Sequence, residues 1–476
     1  MTFQFCLAGI IFIATFALIA SEKIHKTSAA LIGSALMLLL ILPGPSHDSS
    51  GASDTFGTKP KYTMAQEIMP ANLLEQQSGV ATSNIEKIDT YARYVNFDVV
   101  FTLAGMMILV NILGGTGLFQ YIAIKSAKFA GGDPLKTMIL LVIATAVLSA
   151  FLDNVTTILL VAPITFVVPS ELSISPLPFL MSETLASNIG GAATLIGDPP
   201  NLIIGSAAKL DFMSFIVNLA PFIVVLLILY CIGLWIYYNK RMTVTVEKRA
   251  RILELNEMKV ITDPLNLKRA GIVILLTLAG FLIHGLIGVQ PCVIAMSGAA
   301  LALVVCKVDV DEMLGKIEWG TLFFFLGLFI LVEGAAHVGI MAEIGKLLTF
   351  TAAWNPLLII LCVMWFCGLA VAVMNNVSFT TVIITVIGAF LHTSPAFHGD
   401  VQLQRLMWWG VALAVCLGGN FTIIGAAANL VTAGISEQAG YKITFNEFFK
   451  YGAPIAFVSL IMSSVYIVAR YFFLMR

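Results

Sequence analysis

Apolar residues in this chain run in long stretches interrupted at a few places, with neither the two-residue alternation of a half-exposed strand nor the three-to-four spacing of a surface helix. Stretches of about 20 residues, the length a helix needs to cross the hydrocarbon core of a bilayer, recur near 2–20, 25–42, 98–120, 214–238, 269–288 and 448–472. Two further apolar regions, 134–169 and 356–391, hold polar knots, DNVTT at 153–157 and NNVSFTT at 375–381. Two more, 178–206 and 406–434, are interrupted by SNIGGAATLIGDPPN at 187–201 and GGNFTIIGAAAN at 418–429. The pattern predicts an all-α polytopic membrane protein. The knots are read as tips of re-entrant hairpins, and the interruptions as breaks in membrane-spanning helices near the midplane.

The irregular places come in matching pairs. LAGMMILVNILGGTGL (103–118) aligns with FLGLFILVEGAAHVGI (325–340), and FLDNVT (151–156) with VMNNVS (373–378), both at an offset of 222. IGGAATLIGDPPNL (189–202) aligns with LGGNFTIIGAAANL (417–430) at an offset of 228. The chain therefore reads as a duplication, with a first repeat over 1–238, a linker over 239–268 and a second repeat over 269–476. Each repeat is expected to hold five transmembrane helices and one re-entrant hairpin, 134–169 in the first and 356–391 in the second. An odd number of crossings places the second repeat upside down relative to the first, the inverted-repeat plan of secondary transporters.

Composition and charge fix the setting. Of the 476 residues, 59% are hydrophobic and 11% charged, which excludes an ordinary soluble domain. The net charge of −1 is spread over loops, and no basic face suggests a nucleic-acid partner. Lys240, Arg241, Lys248, Arg249, Arg251, Lys259, Lys268 and Arg269 collect in the linker, which the excess of positive charge assigns to the cytoplasm. Lys23, Lys26, Lys125 and Lys128 fall on the same side, and the loop-like insert 43–97 falls outside. The first apolar run lacks a basic segment ahead of it and reads as a retained helix rather than a signal peptide. A multi-pass protein of a bacterial-type inner (plasma) membrane is expected. The seven cysteines have apolar neighbours and no metal-ligand spacing, so they are expected as small buried hydrophobes.

Irregular backbone at membrane depth is tolerated only inside protein or against a water-filled cavity, so the four interruptions are expected to build a site. Pro199 and Pro200 keep the helical ladder from re-forming through the first break. The first repeat offers Asp153, Asn154, Thr156, Asn188, Thr194, Asp198 and Asn201 as an ion- and proton-binding set. The second offers Asn375, Asn376, Ser378, Asn420, Thr422 and Asn429 to complete the cavity. Oxygen ligands of this kind suit a small hard cation such as Na+. An acid within the membrane is a functional candidate by default, and an aspartate there takes either a proton or a cation. That competition is sufficient for exchange if the site opens alternately to the two sides. Glu183, Glu333 and His337 are candidates for a proton path. No cofactor is expected, with Na+ and H+ as the transported ions. An embedded redox subunit or enzyme is disfavoured, because the sequence shows no haem-ligating histidine pair, cluster motif or nucleophile with a partner base.

At FLDNVTTILLVAPI (151–164) and SNIGGAATLIGDPPNLIIGS (187–206), supported by EKIHKTSAAL (22–31), the chain resembles the ion transporter superfamily. Within it the ArsB/NhaD permeases are nearest, and NhaD-type sodium/proton antiporters most of all. The resemblance covers nearly the whole chain outside 43–97. It implies a scaffold part that forms a homodimer and a transport part made of the two hairpins and two broken helices. It also implies exchange of Na+, with Li+ as a second candidate, for H+. An arsenite permease or a sodium-coupled di- or tricarboxylate transporter of the same superfamily is the alternative. The dicarboxylate branch carries Ser-Asn-Thr at its hairpin tips, where this chain has Asp153-Asn154-Val155 and Asn375-Asn376-Val377. Together with Asp198 in the adjoining break, Asp153 would repel an anion unless Na+ or protons neutralised the pair.

Overall fold

The computed structural model describes residues 3–21, 24–42, 94–242, 244–254, 256–341, 343 and 354–474. The expected insert at 43–97 therefore lies outside the described residues up to position 93. Regular structure among the described residues is entirely helical, and eight helices are long and apolar enough to cross a membrane, or nine if one bent pair is counted as a span. Their outer faces are apolar: Ile228, Ile232 and Ile236 project from one side of Ala220–Tyr238 and are exposed. Lipid accepts such a face as readily as a protein core does. The same reason corrects the reading of the cysteines. Cys306, Cys367 and Cys416 are buried, but Cys6 and Cys362 are exposed and Cys231 and Cys292 half-buried.

The chain divides into two compact units, 1–100 with 319–353 and 381–398, and 101–318 with 354–380 and 399–476. Each draws on both halves of the sequence. In the first unit, helices Phe3–Ser21 and Lys26–Leu40 pair with Thr15 over Gly33, and Lys26–Leu40 lies on Trp319–His337. A Cβ on Gly327 would stand 2.9 Å from the carbonyl oxygen of Ala30, so the two backbones touch. In the second unit, Pro264–Ile287 pairs with Pro291–Cys306 through Thr277 over Gly298, and a Cβ on Gly105 of Phe97–Gly114 would stand 2.8 Å from the carbonyl oxygen of Ala295. The same two contacts thus occur once per unit, and the third helix of each half packs on the opening helix pair of the other half.

The two hairpins and the two broken helices lie in the second unit, except for the second hairpin beyond residue 380. The first hairpin has arms Pro134–Phe151 and Asn154–Leu172. Asp133, which caps the first arm, binds Arg249 of the linker helix Val246–Glu254 at 3.1 Å. Val168 and Leu172, at the end of the second arm, pack with Ala127 around Ile252 of the same linker helix. Both ends of the hairpin therefore lie at the linker face, and it turns back as expected. The first broken helix comprises Leu177–Gly191 and Pro199–Ala208, and the second comprises Val401–Gly418 and Ala427–Gln438. Asn188 meets Asn429 and Thr184 meets Thr432, while Cys416 meets Asn201. Along the first pair of contacts one residue number falls as the other rises, so the broken helices run antiparallel. The repeats are inverted.

Candidate ion-binding site

Polar residues of the four interruptions meet one another. At the first hairpin tip Leu152 and Asp153 are extended, and Asp153 caps the second arm. Its Oδ1 accepts Thr156 N at 2.9 Å and its Oδ2 accepts the Thr156 hydroxyl. Asn154, next in sequence, donates Nδ2 to Asn188 Oδ1 at 3.0 Å. Asn188 in turn donates to Asn420 Oδ1 at 2.8 Å and Asn429 Oδ1 at 2.9 Å, across the two repeats. One buried amide therefore ties a hairpin tip to both broken helices.

Each break leaves carbonyls without helical partners, and both repeats satisfy them by the same device. Asn201 donates to Gly191 O and Thr194 O at 3.2 and 2.9 Å, and Asn429 to Gly419 O and Thr422 O at 2.8 Å each. The Thr194 hydroxyl donates to Ala150 O, and that of Thr422 to Ala372 O at 2.7 Å. Both hydroxyls accept a glycine N–H, from Gly197 at 3.2 Å and Gly425 at 3.1 Å. The structure thus spends the donors of Thr194, Asn201, Thr422 and Asn429 on main chain, because a freed carbonyl in a low-dielectric interior needs a partner. Asn201 Oδ1 still faces inward, 3.3 Å from the Cys416 sulfur.

The symmetry fails at the acids. Asp198 is fully buried at the start of Pro199–Ala208, where the second repeat has Ala426. Its two oxygens each lie 3.3 Å from Nδ2 of Asn376, at the tip of the second hairpin. Asn154, Cys416 and the Asp153 carboxyl also lie within interaction range of it. None of the described ion pairs reaches Asp153 or Asp198, whose side-chain neighbours are amides, a hydroxyl, a thiol and each other. Ser378 is buried with a hydroxyl that has no partner among the described residues, whereas Asn375 is half-buried and caps its helix through Val377 N at 3.1 Å.

Sequence reasoning missed Cys416, because a sulfur in an apolar run reads as core. Its register was the available signal, since it occupies the position of Asn188 at the offset of 228. Glu183 is buried on Leu177–Gly191, with Oε2 accepting the Thr165 hydroxyl at 2.5 Å. Glu333 and His337 belong to the other compact unit, where Glu333 is buried and His337 is exposed at the end of its helix.

The family model described as "CitMHS: Citrate transporter" matches residues 16–414. The chain belongs to the citrate transporter family. This family lies within the permease superfamily that the break motifs resemble, and the nearer likeness to NhaD-type antiporters is not what the match shows. As a member of the citrate transporter family, the protein is a multi-pass plasma-membrane transporter. An uncharacterized transporter of Mycobacterium tuberculosis is 35% identical over 466 residues, covering 98% of each chain. The 46 kDa membrane protein of Mycobacterium leprae is 33% identical over 461 residues, covering 97% of each. The human P protein is 30% identical over 546 residues, which take in 98% of this chain and 60% of that protein. Among solved structures, MtrF of Neisseria gonorrhoeae, described within a class of antimetabolite efflux pumps, superposes with a TM-score of 0.55 at 13% identity, covering 96% of this chain and 97% of that one. The YdaH transporter of Alcanivorax borkumensis, described as having an unusual topology, gives 0.55 at 12%, covering 98% of each. At those identities the likeness is one of fold.

Proposed function

We propose that this transporter exchanges Na+ for H+, working as a homodimer, with Asp153 and Asp198 as the groups that carry one ion or the other. The observation that carries this reading is the setting of Asp198, which is fully buried and bonded to the neutral Asn376 amide, with no lysine or arginine paired to it among the described residues. A carboxylate removed from water without a cationic partner is strongly disfavoured, so the site needs a cation or a proton to be populated. Asp153 beside it and Asn201 Oδ1, which shares the Cys416 thiol as a neighbour, supply further oxygen atoms of the kind a hard cation takes. Antiparallel repeats around a midplane site are the plan on which secondary transporters alternate access, and this chain has that plan.

The family match favours a second reading, in which a citrate-like carboxylate travels with the cations that neutralise the aspartates. Proteoliposomes holding a pH-sensitive dye separate the two. Exchange predicts sodium-driven proton movement with no organic acid present. Proton movement that appears only with citrate added would decide for the second reading.

A further inference from the structure

Helix Leu177–Gly191 carries one acid into the protein that the ion site does not use. Glu183 is buried, its Oε2 accepts the Thr165 hydroxyl at 2.5 Å, and its Oε1 has no hydrogen-bond partner among the described residues. The titratable side chain facing it is Tyr230 of Ala220–Tyr238, whose hydroxyl donates to Ser182 O at 3.0 Å. On the other helices packed against Leu177–Gly191, the charged side chains of Lys136, Arg405, Glu437, Glu447 and Lys450 are exposed, and Arg470 is bound to Asn218 at 2.6 Å. Buried polar atoms in native proteins nearly always have partners, and an acid at membrane depth is costly to keep. An open carboxyl oxygen in such a place points to a mobile partner.

Polar groups lead from Glu183 toward the ion site through an otherwise apolar interior. Thr184 meets Thr432 at 2.6 Å, and Ser187 donates to Asn154 O at 3.2 Å while facing the Ser149 hydroxyl at 3.0 Å. Asn188 follows, about 7.5 Å from Glu183 along the helix axis at the usual rise per residue. In the other direction, Thr165 ends the helix that continues to Val168 and Leu172, which pack on the linker, the segment that its excess of positive charge assigns to the cytoplasm. Glu183 therefore stands between the ion site and the cytoplasm.

We propose that Glu183 is a proton-relay residue on the cytoplasmic side of the ion site, loading and unloading through its open Oε1, with Thr165 fixing the carboxyl. The inference rests on the exchange reading. In the inward half of the cycle an aspartic acid gives its proton to the Glu183 carboxylate, leaving an aspartate free for Na+. The glutamic acid then gives the same proton to cytoplasmic water, so each hop makes one acid and one carboxylate.

The test uses the full-length protein in proteoliposomes and measures two fluxes, sodium-driven proton movement and Na+/Na+ exchange, which needs no proton. In E183Q the proton flux is expected to fall by about a hundredfold, the lower end of what a positioned proton-transfer group contributes, while Na+/Na+ exchange persists. E183D should restore proton flux with a displaced pH profile. Wild-type proton flux and an unchanged pH profile in E183Q would overturn the relay. So would a joint loss of both fluxes and of thermal stability that E183D does not rescue, which marks a structural role. If the wild type moves protons only with citrate, the exchange reading fails by itself, and the same comparison on citrate-driven proton flux decides the relay. If the wild type moves protons with neither, both fall.

Discussion

Where the first repeat has Asp198 and Asp153, the second has Ala426 and Asn375, so the two halves share a scaffold and differ in charge. Replacing Asp198 with asparagine keeps its volume and removes its capacity to trade a proton for a cation. Sodium-driven proton flux in D198N vesicles is expected to drop to the level of protein-free vesicles, and wild-type flux there would remove Asp198 from the mechanism. Asn188 has a different task. It joins Asn154, Asn420 and Asn429, and alanine would take the Asn188 partner from Asn154 Nδ2, Asn420 Oδ1 and Asn429 Oδ1, at about 1–3 kcal/mol for each buried group left unpaired. N188A should therefore lose thermal stability in detergent by several degrees as well as transport. The aspartates stood out in the sequence because an acid in an apolar run is costly at membrane depth, and the structure gives Asp153 a helix cap as well. Thr194 and Asn201 were legible only as polar groups, since their bonds to main-chain carbonyls depend on how the break folds.

At the scale of elements, each broken helix reaches its hairpin through a glycine. A Cβ on Gly190 would collide with the carbonyl of Ala146, and a Cβ on Gly418 would stand 2.5 Å from the carbonyl oxygen of Gly368, the corresponding place in the second repeat. Close approach of two backbones sets these glycines. Gly190→Ala is expected to cost about 1–3 kcal/mol by overpacking, visible as a lower melting temperature and poor recovery from membranes. Gly434→Ala, on a helix face with open space around it, is expected to leave melting unchanged or raise it, since alanine favours helix by about 1 kcal/mol over glycine. A fall in G434A equal to that in G190A would show that packing is not the cause. The break was visible in the sequence as glycines and prolines, but the partner of each glycine was not.

At the scale of the molecule, the linker is a clamp as well as a connection. Glu257 binds Lys128 at 2.6 Å and Lys125 at 3.5 Å, and Thr262 bonds the chain at Gly115 and Thr116. The hydrogen bond from Lys128 is the chief reason that the Glu257 carboxyl is held down to about 2. A depressed carboxyl contributes its stabilisation above the ordinary glutamate range and loses it as the pH falls toward the depressed value. Cytoplasmic pH changes between about 6 and 8 should therefore leave the clamp intact. E257Q is expected to speed protease cleavage within the linker at neutral pH, with the wild type unchanged across that range. A wild-type cleavage rate that rises from pH 8 to 6 would contradict the ion pair as its cause.

The sequence by itself determined that the chain is a helical membrane protein, that it is duplicated, and that its polar groups gather at breaks. Those features follow from local causes: the length of apolar runs, the backbone limits of proline and glycine, and the cost of an acid in lipid. Only the tertiary structure decided that Asn376 of one repeat holds Asp198 of the other, that Cys416 stands in the site, and that each third helix packs on the opening helix pair of the opposite half. Those pairings join residues far apart in sequence through backbone approach at single glycines, and nothing local to either partner specifies the other.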